Sequence, residues 1–344
     1  MPSGFMYEKE EKTMKPKKLG VILLALLLAA MAMVPGVCAE KAADLSPPQG
    51  TDIITKNPVR LDDPADSVRN STATYSMPEK DQNEIFEAVE KSSLSDKEKA
   101  DLIQKLTAIW SGTSKLSDEE TEDVFVTVYS IIMDTGEPGL KWTGYPVDPN
   151  YKDVHNDMAW IAGYSMGLGS SAANTLASIA GEPDYPPPGA SWNHYYSSGA
   201  ADEAESYADL AQSEWSSDPP QALSDLAYSM HFMADMSQPF HYWFAQGLPQ
   251  HAAYESFVGD NWHSGEDFYT TVAGDGYYYS ISDVSDAASY LAWKSHYQQN
   301  QYDYINNAIQ TDPNWQSDST LIQYTGECLI DGERYQMGLV DYVA

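Results

Sequence analysis

The stretch His231–Glu255 reads HFMADMSQPFHYWFAQGLPQHAAYE. It holds three of the chain's seven histidines and two carboxylates: His231, Asp235, His241, His251 and Glu255. His231 and Asp235 are four apart, and so are His251 and Glu255. Residues at that spacing stand one above the other on one face of a helix. The run QALSDLAYSMHFMAD has apolar residues at helical spacing, which predicts a helix under the first pair. Pro239 ends or bends that helix just before His241, and the second pair opens another helix. A lone H-x-x-x-D is usually an ordinary surface or core pair. Two such pairs with a third histidine between them are what a helical bundle uses to build a metal site from two helices and their connection.

Working outward, the chain stays helical. Upstream, VHNDMAWIAGYSMGLGSSAANTLASIAG reads as one long apolar helix beginning near His155. A proline-rich turn, GEPDYPPPGASWNHYY, then carries Asp184 and His194, and DEAESYADLAQSEW is an amphipathic helix. Downstream, two helical runs are expected, SDVSDAASYLAWKSHYQQNQYDYINNAI and DSTLIQYTGECLIDGERYQMGLVDYVA. Ahead of both, GDGYYYSIS reads as a short hairpin or a loop. No alternating pattern is long enough to build a sheet, so the expected fold is all-α. His263 and His296 belong to no motif and read as surface or core histidines. Tyr195, Tyr196, Trp243 and Phe244 either line a cleft or simply pack.

Charge narrows the partners. The 344 residues include 51 acidic and 19 basic side chains, for a formal charge of −32. From Trp142 to Ala344 there are 27 acidic residues against three basic ones (Lys152, Lys294 and Arg334), a difference of 24 negative charges. Such a surface repels polyanions and argues against duplex nucleic acid as a partner. Two cysteines, Cys38 and Cys328, make no disulfide framework. Cys328 lies in an apolar helical pattern, where a buried inert thiol is expected.

The N-terminal part divides in three. Lys15, Lys17 and Lys18 precede the apolar run LGVILLALLLAAMAMV and the small residues of PGVCAEK. Residues 1–39 therefore read as a signal peptide cut after Ala39, with an uncleaved membrane anchor as the alternative, and the protein is expected to be secreted or displayed at the cell surface. Residues 40–78 are rich in Pro, Asp, Ser and Thr without apolar periodicity and read as a linker. Residues 79–141 read as three helices forming a small prodomain or accessory domain, with capping boxes at Ser95/Glu98 and Ser117/Glu120 opening the second and third. Residues 142–344 carry all seven histidines and form the main domain.

The order of these residues resembles the zinc-dependent phospholipase C family, which shares its fold with the single-strand zinc nucleases. That family presents, in order, an N-terminal tryptophan, a histidine some ten to fourteen residues on, an aspartate, an H-[FY]-Y-type histidine, H-x-x-x-D-x-x-x-P-x-H and H-x-x-x-E. This chain has Trp142, His155, Asp184, His194-Tyr195-Tyr196, HFMADMSQPFH and HAAYE. The resemblance covers residues 142–344, including the final helix that ends RYQMGLVDYV.

The resemblance implies three zinc ions, and at least two are expected. Asp184, His194, His231 and Asp235 would hold one, and His241, His251 and Glu255 a second. His155 and Asp235 would hold the third, with the free amine and carbonyl oxygen of an N-terminal Trp142. Asp235 would then serve two metals, and Asp184 would also orient the attacking water. The substrate implied is a phospholipid or another phosphodiester, with contact to a membrane surface. The chain departs from the pattern at Trp142, which is internal, so a zymogen activated by cleavage at Lys141-Trp142 is the expectation. Two alternatives stand beside this one: a single-strand-specific zinc nuclease, and a non-catalytic cell-surface protein stabilised by zinc.

Overall fold

The computed structural model describes residues 54–65, 77–111, 113–116, 120–121, 123–124, 127–128, 131, 154–184, 194–244 and 246–344. The expected signal peptide, Ser117 and Trp142 lie outside these residues. The fold is all-α, as the periodicity predicts. Its centre is the helix we label α6, Pro219–Met236 (the other elements are numbered in chain order as they appear below). Asp218 caps α6, and a proline occupies the first turn, where its missing amide costs nothing. From Leu226 onward nearly every side chain of α6 is buried, so the helix is enclosed on all sides.

α5, Ala200–Glu214, lies against α6 through a face of alanines: Ala200, Ala201, Ala204, Ala208 and Ala211. Small side chains bring the two backbones close enough for Ser229 Oγ, on α6, to donate to Ala204 O at 2.7 Å. The expected long helix upstream is two, α3 (Val154–Ser165) and α4 (Gly169–Ile179). Gly167 and Gly169, with φ of 86° and 82°, occupy left-handed backbone there and turn the chain back on itself. Beyond the short α8 (Phe268–Ala273), the run after residue 282 also divides, into α9 (Val284–Tyr297) and α10 (Gln301–Thr311). Gln299 and Asn300 take positive φ at that break, and no glycine marks it in the sequence. α11, Ser319–Val343, is the long final helix; Asp318 caps it by accepting from Thr320 N and Leu321 N. Cys328 is buried within it, as expected, and burial pushes its thiol pKa up.

Of the stretch 40–78 read as a linker, residues 54–65 and 77–78 are described. Val59–Asp62 is a strand, β1, paired in parallel with β2, Tyr277–Ser280, in the stretch read as a hairpin or a loop. Four-residue strands whose partners are so distant leave no periodic trace in the sequence. Ile54 and Asp63 on either side of β1 are buried; the Tyr335 hydroxyl of α11 donates to Asp63 at 2.9 Å. β2 in turn lies on α11, where a Cβ at Gly338 would meet Tyr279 O at 2.3 Å, so only glycine allows that approach.

Helices α1 (Glu79–Lys91) and α2 (Asp96–Trp110) form as read, and Ser95 and Glu98 make the expected capping box. Leu102, Leu106, Trp110, Val124 and Val128 belong to the same core as Tyr242, Trp243 and Phe244, and the Gln246 amide donates to Asp81. α1 thus bonds directly to the chain between His241 and His251, and the buried residues of α2 share its core. Among the described residues, no helix is long and apolar enough to cross a membrane.

Candidate metal centre

α6 delivers His231 and Asp235 on one face, as the four-residue spacing predicts. The helix stops at Met236, and a single turn, Pro239–His241, brings the next histidine back toward it. α7, Leu248–Asp260, carries His251 and Glu255 one turn apart. His155 comes from the first turn of α3, Asp184 from the short turn after α4, and His194 from the chain before α5. Eight of the nine residues expected at the site therefore converge; Trp142 lies outside the described residues.

The distances define two linked groups. In the first, His231 Nε2 and His194 Nδ1 are 3.0 Å apart, and Asp235 Oδ2 lies 3.2 and 2.8 Å from them. Asp184 Oδ1 stands 3.7 Å from His231 Nε2. His155 stacks on the His231 ring at 4.2 Å, with its Nε2 3.7 Å from Asp235 Oδ1. In the second group, His241 Nε2 is 3.1 Å from His251 Nε2, and Glu255 Oε1 lies 3.4 and 2.8 Å from these nitrogens. Asp235 joins the halves: its Oδ1 is 3.1 Å from His241 Nδ1.

The donor set fits a metal. His231 Nδ1 lies 2.8 Å from Ala180 O; a carbonyl only accepts, so Nδ1 carries the proton and the lone pair of Nε2 faces the cluster. Ligand atoms of His155, Asp184 and His231, of His194, His231 and Asp235, and of His241, His251 and Glu255 lie within 4.8 Å of one another in each trio. Neutral imidazoles with carboxylates are zinc's usual nitrogen and oxygen ligands.

Within the cluster, burial and neighbouring opposite charges oppose one another. Burial alone pulls His241 down, but the carboxylates of Asp235 and Glu255 outweigh it and hold its pKa at about 10. Burial raises Glu255, and the neighbouring His251 and His241 overcome that and bring it to about 2. Asp235 is held well below the usual carboxylate range by His231, His241 and His194, against the opposing effect of burial.

Exposure within the cluster is uneven. The side chains of His155 and Asp184 are 20% exposed and that of Glu255 is 31%, whereas those of His194, His231, Asp235, His241 and His251 are at most 5% exposed. Trp243 and Phe244 are buried, so their role is packing. Tyr195 lies over His241 and His251, with ring centroids at 5.0 and 6.1 Å. His263 is half-buried and pairs with Asp157; His296 is buried. Gln238 had no sequence signal, yet its amide donates to Glu255 at 3.1 Å while its oxygen accepts from Phe240 N at 2.6 Å. Neither a known family model nor a curated protein matches the chain.

Proposed function

We propose that the chain is an exported zinc-dependent phosphodiesterase of the phospholipase C kind, which hydrolyses a phospholipid at the glycerol-side phosphodiester bond. The observation that carries this reading is the position of Asp235, with one oxygen against His194 and His231 and the other against His241. Asp235 thereby ties the two groups together, reaching the second through His241, whose other ring nitrogen faces His251 and Glu255. Asp184, His194, His231 and Asp235 would hold one zinc, and His241, His251 and Glu255 a second. His155 and Asp235 would hold a third, completed by a terminal amine at Trp142 once the zymogen is cut. A zinc centre supplies positive charge against an anionic phosphodiester and acidifies water towards a pKa of roughly 7.

The chain's own residues do the rest. Asp184 is the part-exposed carboxylate beside His231 and His194, where it can orient the attacking water and accept its proton. Buried His194, His231, His241 and His251 fix the ligand geometry, so no reorganisation is needed as charge develops on the substrate.

The charge distribution supports a lipid over a single-strand nucleic acid, the nuclease alternative. An excess of 24 negative charges on residues 142–344 opposes a polyanion along its whole length and a single headgroup only locally. A structural zinc is closed by four protein ligands, whereas His241, His251 and Glu255 offer three, the number a catalytic zinc keeps, and this supports catalysis over a non-catalytic role. Purified protein should contain at least two zinc ions. It should cleave a phospholipid faster than single-stranded DNA at equal phosphate, and chelation should abolish that activity. Preference for the oligonucleotide would move the assignment to a nuclease; an undiminished rate in metal-free protein would overturn it.

A further inference from the structure

Only five residues separate Asp235 from His241, yet the two side chains must face one another across a change of direction. The corner Met236–Pro239 has an inherent difficulty. The last carbonyls of a helix lack intrahelical acceptor bonds, and Pro239 brings no amide to relieve them. Two adjacent residues near the end of α9 supply donors. Ser295 Oγ donates to Met236 O at 2.8 Å, and His296 Nδ1 donates to Pro239 O at 2.7 Å. Both side chains are buried.

The His296 ring is held between Tyr242, at 4.9 Å and 25°, and Tyr302, at 4.5 Å and 22°. Burial pulls its pKa down to about 4, so it stays neutral at ordinary pH with its single N–H on the carbonyl. The corner is gripped elsewhere too. Gln238 ties it to Glu255, and Ser237 faces Gly332 of α11, where an added Cβ would come within 2.7 Å of its Oγ.

We propose that Ser295 and His296 are positioning residues for the metal centre, holding the Met236–Pro239 corner so that Asp235 and His241 address the cluster together. The proposal rests on the metal reading above. Partners one bond removed from ligands commonly change metal affinity about 10- to 100-fold, and here the intermediary is backbone.

The test uses the full chain and zinc itself. His296→Phe keeps an aromatic ring of similar size between the tyrosines and removes the donor; His296→Asn restores an amide donor near the Nδ1 position. Zinc affinity is measured by competition with a chromophoric chelator, and thermal stability is measured on the chelated protein. Affinity should fall about 10-fold or more in His296→Phe and recover in His296→Asn. Ser295→Ala should fall in the same direction. Unchanged zinc affinity in both His296→Phe and Ser295→Ala, with only the stability of the chelated protein lowered, would overturn the proposal and leave the metal site standing. A parent protein that binds no zinc would overturn both.

Discussion

Asp235 puts one oxygen against each half of the cluster, so its charge cannot be removed from one half alone. Asp235→Asn should cost more metal than any other single ligand change: elemental analysis of the variant should find less zinc than in a His155→Ala control. Glu333 is a second residue whose charge matters, and it belongs to none of the histidine–carboxylate pairs. It is fully buried in α11, neither carboxyl oxygen has a hydrogen-bond partner, and burial first, with Asp275 second, raises its pKa well above the ordinary value. A carboxyl whose folded pKa is raised costs nothing below its unfolded pKa of roughly 4.3 and an increasing amount above it. Glu333→Gln should therefore gain melting temperature over the parent as pH rises from about 4 to 8. A difference independent of pH would show that Glu333 keeps its ordinary pKa.

At the scale of elements, α9 and α11 are joined by charge as well as packing. Lys294 pairs with Asp331, and Arg334 holds Asp275 through two bonds of 2.7 and 2.8 Å. These are the two basic residues in the described chain beyond residue 153, and both are committed to structure. Lys294→Met leaves Asp331 largely buried and less compensated, which should cost about 3 kcal/mol in chemical denaturation. The helices under the ligand pairs were legible because helical periodicity and the four-residue spacing act locally. The turn at Pro239 was legible for the same reason, since proline's constraint lies in its own ring. The divisions at Gly167 and Gln299 were not, because apolar periodicity continues across both. Nor was the Ser295–His296 grip, since carbonyls as distant as Met236 O and Pro239 O leave no mark on the residues that meet them. β1 was missed because its pairing lies wholly with β2.

Taken whole, the described residues ahead of α3 are bound into the rest of the molecule. Residues 54–65 supply β1 and a buried acceptor for Tyr335, and the helices of 79–131 share a core with Tyr242–Phe244. Activation by a cut at Lys141-Trp142 should accordingly leave the N-terminal piece attached. A chain carrying an engineered protease site there should, once cut, elute from a native sizing column as one species containing both fragments, and loss of the smaller fragment would show it to be a discarded leader. The β1–β2 pairing also bears on timing. β1 is made long before its partner. Until then its amides and carbonyls have only water or another chain to bond, and such distant closures are slow to form. The fold is thus committed late: a chain arrested before Tyr277 has made all eight converging residues of the cluster but nothing to pair with β1.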